Sequence, residues 1–302
     1  MEIIDIKKRH FDALTEYIIP DNIPSNESQL YHYHHLQEKL LLKKYDITDD
    51  DKYIGNKLLT ISLLHHYKDQ IDIPELIIPK YLVSIDKKVS GCLVPFIQNN
   101  TNLSILLQSK DISTATKKHF LKEVLRIVKK VQGVKIPKSF YLGDLHEANF
   151  ILNHDDSKIY VVDVDGCKIG NNEVYIMKYT ADNNIKFINK SQINGNNERH
   201  VVNYNTDWYS FAMMVLNTIG GEKTYQLKRE DFFDYLELLR SNQFSEEIVD
   251  YFANLYTNND NINEMTAELI DQIPNDLSNV GIHRFIHHND IKYIYLPKKK
   301  LL

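Results

Sequence analysis

The chain has 302 residues, a 43% apolar fraction and a formal charge of −5, with a pI near 6.2. Such a chain can bury one large core or two small ones, and its acidic balance gives no electrostatic case for nucleic acid as a partner. Cys92 and Cys167 fall in strand and loop contexts and need not pair, and no apolar run approaches a bilayer span, so a cytoplasmic setting with no membrane partner is expected.

Met1–His10 is charged throughout, and Asp21–Leu30 is polar and lacks glycine. His32, His34 and His35 share a strand-like run, and His283, His287 and His288 have partly helical spacing. With no cysteine or acidic ligand pattern beside them, both sets read as strand or surface residues rather than zinc ligands. Lys39–Tyr45 is a strand whose triplet Leu40–Leu42 runs into Lys43 and Lys44. A helix is expected over Lys52–Tyr67, then a buried strand over Val89–Ile97 interrupted by Pro95. Asn102–Lys110 leads into a helix at Ser113–Gln132, where Phe120, Val124, Ile127 and Val131 recur at helical spacing.

The chemistry is concentrated in Tyr141–Leu152 and Tyr160–Gly166. Asp144 is followed five positions later by Asn149, and Asp163 comes fourteen positions after that. Between them Phe150–Leu152 is an apolar strand, Asn153–Ser157 a polar turn and Ile159–Val162 a β-branched and aromatic return strand. Folded as a hairpin, this segment brings Asn149 and Asp163 to one end. One carboxylate can then accept a hydroxyl proton while an amide and a second carboxylate hold a magnesium ion, as phosphoryl transfer requires. Taken singly, the same acids and amide would simply mark turns.

Farther along, Asn171-Asn172, Asn183–Asn197 and Thr257–Asn263 read as loops. Asn205–Ala212 opens an apolar helix running to Ile219, with Asp207 near its N-terminus, where a carboxylate complements free N–H groups. Further helices are expected at Arg229–Ser241 and Ser245–Tyr256, then a tail with a short strand at Ile291–Leu296.

The Asp144–Asn149–Asp163 pattern resembles the active-site hairpin of the protein-kinase-like superfamily. Asn205–Ala212 is similar to the start of that family's large central helix, where an acid at the position of Asp207 hydrogen-bonds the catalytic-loop backbone. The resemblance implies an α+β bilobal fold, with a small antiparallel β lobe carrying one helix over 1–96 and a larger, mainly helical lobe over 97–302. It also implies ATP as cofactor with Mg2+, and transfer of the γ-phosphate to a hydroxyl of a protein or a small molecule. In that reading Asp144 is the base, His146 contacts the transferring phosphoryl or the metal-bound phosphate oxygens, and Lys43, with Lys44 as second match, positions the α- and β-phosphates. Asn149, Asp163 and Asp165 are the metal set, Val94 is the gatekeeper, and the backbone of Pro95–Ile97 faces the adenine.

Three departures shape the expectation. The segment before the Lys43 strand has no glycine with which to approach phosphates closely. The following helix has Asn56 and Lys57 where a Glu partner for Lys43 is expected. Leu142-Gly143-Asp144 lacks the Arg that would clamp a phosphorylated activation segment, so phosphorylation at Tyr179, Thr180 or Ser191 is not expected to switch the chain on by that contact. Gly143-Asp144-Leu145-His146 and Asp163-Val164-Asp165 resemble aminoglycoside and choline phosphotransferases, whereas the 44 positions from Asp163 to Asp207 leave room for a full activation segment. An atypical protein kinase is the first expectation, a small-molecule kinase the second and a pseudokinase scaffold the third.

Overall fold

The structure is a computed structural model that describes residues 1–18, 28–45, 51–136, 139–170, 172, 175–177, 193–194, 197–221, 224, 227, 229–257 and 262–281. It is a mixed α+β fold. The chain begins with β1 (Ile3–Ile6) and α1 (Lys8–Phe11), then β2 (Ser28–His35), β3 (Glu38–Tyr45), α2 (Asp51–His66), β4 (Tyr81–Ile85) and β5 (Lys88–Pro95). Next come β6 (Asn100–Asn102), α3 (Leu103–Gln108), α4 (Thr114–Gln132), β7 (Phe140–Tyr141), β8 (Phe150–Asn153), β9 (Lys158–Val161) and β10 (Lys168–Ile169). The remaining elements are β11 (Tyr175–Met177), β12 (Ile193–Asn194), β13 (Asn197–Val201), α5 (Tyr204–Gly220), α6 (Arg229–Ser241), α7 (Glu246–Thr257) and α8 (Ala267–Asp271).

The N-terminal sheet has the order β1-β4-β5-β3-β2 and is mixed, because β1 runs parallel to β4 while every other pair is antiparallel. Beyond β2, a Glu16–Tyr31 bridge adds the segment around Tyr17, whose N–H donates to Leu30 O at 2.8 Å. Alternation along β3 sorts its side chains by face. Leu40 and Leu42 pack with Ile6, Val83 and Leu93. Tyr45 packs on the opposite face with Ile61 of α2 and Cys92. Where β5 passes β3, a Cβ on Gly91 would lie 2.1 Å from Lys43 O, so only glycine permits the two backbones to approach this closely.

The largest core cluster joins α4, α5, α6 and α7 to the hairpin β8–β9. Ile71, Ile73 and Leu76, in the chain between α2 and β4, also enter it, and that segment is tied down by Val161 N donating to Glu75 O at 2.8 Å. α5 is buried on nearly every face, as a helix at the centre of a domain must be. Its start is fixed by a capping box: Thr206 N donates to Asn203 Oδ1 at 3.2 Å and Asn203 N to Thr206 Oγ1 at 3.1 Å.

The expected helices over Lys52–Tyr67, Ser113–Gln132, Arg229–Ser241 and Ser245–Tyr256 correspond to α2, α4, α6 and α7. The central helix begins at Tyr204, one residue before the expected Asn205, because Asn203 supplies the cap. The strand expected over Val89–Ile97 ends at Pro95. β1 and α3 were not expected. The tail strand at Ile291–Leu296, the histidines 283, 287 and 288, and Tyr179, Thr180 and Ser191 lie outside the described residues.

Candidate active site

Asp144, His146 and Asn149 are placed by a loop between β7 and β8. Asp207 holds this loop from below: its two carboxylate oxygens accept the N–H groups of Leu142 and Gly143, each at 2.8 Å. Burial pushes the Asp207 carboxyl up to about 6 even against those two donors. Gly143 sits at φ +76°, and a Cβ there would stand 2.9 Å from Gly166 O. The loop therefore has room for glycine, not for the arginine the sequence lacks.

Inside the loop, Asn149 Nδ2 donates to Asp144 O at 2.8 Å and approaches Asp144 Oδ2 at 3.5 Å. His146 Nε2 lies 3.7 Å from Asp144 Oδ2. Burial opposes charge on Asp144, but His146, Lys57 and Asn149 outweigh it and hold the carboxyl below its ordinary value. Burial likewise opposes protonation of His146, and Asp144 reverses this and raises it. The Asp144 side chain remains 44% exposed, so it is open to groups arriving from solvent.

The hairpin performs the juxtaposition expected of it. Phe150 pairs with Val161 and Asn153 with Lys158, and Val162 N donates to Asn149 O at 2.8 Å. Asn149 thus accepts a hydrogen bond from the residue that immediately precedes Asp163. Asp163 adopts a left-handed backbone (φ 62°, ψ 43°), a costly conformation for a non-glycine residue and one that concentrates at functional sites.

Lys43 and Lys44 separate cleanly. Lys44 Nζ sits 5.7 Å from the Phe11 ring, on the face away from the loop. Lys43, only 8% exposed, points to the acids: it is paired with Asp163, and its Nζ lies 2.8 Å from Asp165 Oδ2. Asp165 is the hub of this cluster. Lys57 Nζ of α2 lies 3.3 Å from Asp165 Oδ1, and the Tyr45 hydroxyl donates to Asp165 Oδ2. The Tyr45 ring is within cation–π reach of both lysines, at 5.5 and 5.8 Å.

Electrostatics divides the two acids. Burial and the Asp165 charge push Asp163 up to about 6, against the pull of Lys43 and Lys57. Burial opposes charge on Asp165 too, but there Lys43 and Lys57 prevail and hold it well below the usual carboxylate range. Lys43, which burial alone would lower, is raised by the two carboxylates. Asp165 is therefore the acid whose charged form the two lysines favour, while Asp163 is 39% exposed.

At the end of β5, Pro95 pairs with Leu40, and Ile97 O accepts Asn100 Nδ2 at 2.6 Å. Phe96 stacks edge-on with Tyr17 and His32, with ring centroids 5.5 and 5.3 Å away. No group of three or more His, Cys, Asp or Glu side chains arranged to hold a metal occurs among the described residues. Magnesium asks for less: one or two protein oxygens, with water and phosphate completing the shell. Asn149 and Asp163 match that donor chemistry, whereas the oxygens of Asp165 already face three donors.

Three residues were missed as site components. Lys57 and Tyr45 converge on Asp165 from positions more than a hundred residues away in sequence. Asn172, expected in a loop, is buried: its Nδ2 donates to Thr60 Oγ1 at 2.7 Å and to Cys167 O at 3.0 Å, and its Oδ1 accepts Ile169 N at 2.9 Å. It fastens the chain after Asp165 to α2. Lys57 stands where a partner acid for Lys43 is expected, and an asparagine beside another reads as a turn, so neither carries a local signal. No protein-family model matches the chain, and no curated protein matches it in sequence.

Proposed function

We propose that this chain is an ATP- and Mg2+-dependent phosphotransferase of protein-kinase-like architecture, transferring a γ-phosphate to a protein hydroxyl. The observation that carries the reading is the convergence of Lys43, Asn149 and Asp163 beside the half-exposed carboxylate of Asp144. Supporting it are the antiparallel order β4-β5-β3-β2 with α2 between β3 and β4, and the buried Asp207 that fixes the loop backbone. The long stretch between β10 and α5, which contains the sheet β11-β13-β12, favours a macromolecular acceptor.

In this reading Asp144, held ionised, orients the acceptor hydroxyl and takes its proton. His146, beside it, can donate to a phosphoryl oxygen. Lys43 leaves its pairing with Asp163 to contact phosphate while keeping Asp165. Asn149 and Asp163 would hold Mg2+, whose part is to neutralise phosphate charge. The cation partners of Asp165 keep that acid from competing for the same role.

One observation favours a small-molecule acceptor instead: Gly143 packs against Gly166, so the loop is built around Gly143-Asp144-Leu145-His146, which resembles the loop of aminoglycoside and choline phosphotransferases. Incubation with Mg2+, ATP and either a metabolite panel or a protein mixture, read as phosphate gain by mass, separates the two acceptors. A metal-dependent thermal shift with ATP that is lost in Asp163→Ala supports an assembled site. No shift in the wild-type chain overturns the reading in favour of a scaffold without chemistry.

A further inference from the structure

Asn102 ends β6 and caps α3, and the two ends of its amide face different partners. Its Oδ1 accepts Ser104 N at 2.9 Å and the Ser104 hydroxyl at 2.6 Å, which fixes the oxygen toward α3. Its Nδ2 therefore points the other way, and donates to Ala148 O at 2.6 Å, inside the loop that carries Asn149. An amide suits this place because it offers an acceptor to a helix N–H and a donor to a carbonyl at once. Asn102 is buried, so the loss of either bond is costly.

Ala148 O and Asn149 N belong to one rigid peptide plane. Asn149 N donates to His146 O at 3.0 Å, and the following plane is held by Val162 N donating to Asn149 O at 2.8 Å. Both planes that set the direction of the Asn149 side chain are thus tied, the first of them by Asn102 across 46 residues of sequence. The side-chain nitrogen of Asn149 is spent inside the loop, donating to Asp144 O at 2.8 Å, and its Oδ1 is the atom it can offer a cation. Mg2+ demands near-octahedral geometry, so a small rotation of this plane matters to binding. The tie also reaches the far end of the cleft: Asn102 pairs with Ile151 where β6 meets β8, and Asn100, in the same strand, donates its side-chain Nδ2 to Ile97 O at 2.6 Å.

We infer that Asn102 is a positioning residue that holds the Asn149 amide in the orientation in which its oxygen meets Mg2+. The inference deepens the phosphotransfer reading and rests on it for the identity of the cation. Asn102 acts through Ala148 O and the peptide plane that ends at Asn149 N, not on the reacting atoms.

The experiment uses the full chain with Asn102→Ser and Asn102→Asp. Each keeps an oxygen able to cap α3 and removes the amide donor to Ala148 O. Affinity for ATP is measured with Mg2+ and in EDTA, and amide hydrogen exchange is followed without ligand. Both variants are expected to lose about tenfold or more of the affinity gained from Mg2+, with ATP binding in EDTA unchanged. In the ligand-free chain the N–H groups of Asn149 and Val162 should exchange faster, while those of α3 keep their wild-type rates. Undiminished Mg2+ dependence, equal weakening in EDTA, or unaltered exchange at Asn149 and Val162 overturns the inference. Should the wild-type chain ignore Mg2+·ATP while the exchange result holds, the phosphotransfer reading falls together with the role of the cation, and Asn102 as the anchor of the Asn149 backbone stands.

Discussion

Asp207 Oδ1 accepts the Gly143 N–H at 2.8 Å across 64 residues of sequence, and its other oxygen accepts the neighbouring Leu142 N–H. A single buried carboxylate thereby sets the backbone of the loop that carries Asp144. Replacing it with Asn keeps one acceptor but turns an amide N–H toward a backbone N–H. Asp207→Asn should cost about 1–3 kcal/mol in denaturant unfolding, the penalty for a buried donor without its partner. The pH profile should change as well. The folded value of about 6 lies above the ordinary 3.8, so the contribution of this group is full below 3.8 and is lost as pH rises through about 6. In Asp207→Asn that decline between pH 4 and 6 should shrink.

Glu75 gives the opposite slope. Its Oε1 accepts Arg126 Nη1 at 2.7 Å and Lys130 Nζ at 2.8 Å. Burial opposes its charge, but Lys130 and Arg126 outweigh this and bring it down to about 2, below the ordinary 4.5. The stability it contributes is complete above about 4.5 and is lost as pH falls toward 2. Its two partners are partly exposed, so the effect is roughly 1–2 kcal/mol rather than the full value of the shift. Acid titration of Glu75→Gln should show a flatter limb in that window and stability reduced at pH 7.

The two close backbone approaches predict steep local intolerance. Gly143→Ala puts a Cβ at φ +76° and 2.9 Å from Gly166 O, which should cost about 1–3 kcal/mol. Gly91→Ala must force β5 away from β3 at Lys43, displacing the lysine from the acids. Unfolding midpoints of both variants, compared with alanine at the open Gly55, test this; three equal midpoints would contradict it.

Much of this architecture is legible in the chain because its signals are local. α4 shows a helical apolar stripe, and the hairpin β8–β9 shows two apolar runs around a polar turn. The Asp144–Asn149–Asp163 spacing is read directly because one short hairpin carries all three. β1 was not legible: four residues next to a charged start find their partner, β4, only through a parallel pairing some eighty positions away. α3 is six residues long and set by the cap of Asn102, whose oxygen accepts Ser104 N at 2.9 Å. The surroundings of Asp165 were not legible, because Lys43, Tyr45 and Lys57 meet it only once α2 lies against the hairpin.

The tie between Asn172 and Thr60 predicts energetic coupling between α2 and the chain leaving the site. Asn172→Ala should cost about 1–3 kcal/mol, since it leaves Ile169 N and the Thr60 hydroxyl without this partner. A double-mutant cycle with Thr60→Ala should give a coupling of about 0.5–2 kcal/mol. Strict additivity would show that the contact does not hold the two elements together.

The central claim, that Asp144 serves phosphoryl transfer to a hydroxyl, is tested most directly by following label from γ-labelled ATP with Mg2+ into hydroxyl acceptors, with wild-type chain and Asp144→Ala side by side. The account predicts transfer by the wild type and a loss of about 10²-fold or more in the variant, with the Mg2+·ATP thermal shift retained in both. Equal transfer by the two proteins, or no transfer by the wild type to protein or metabolite acceptors, would contradict it.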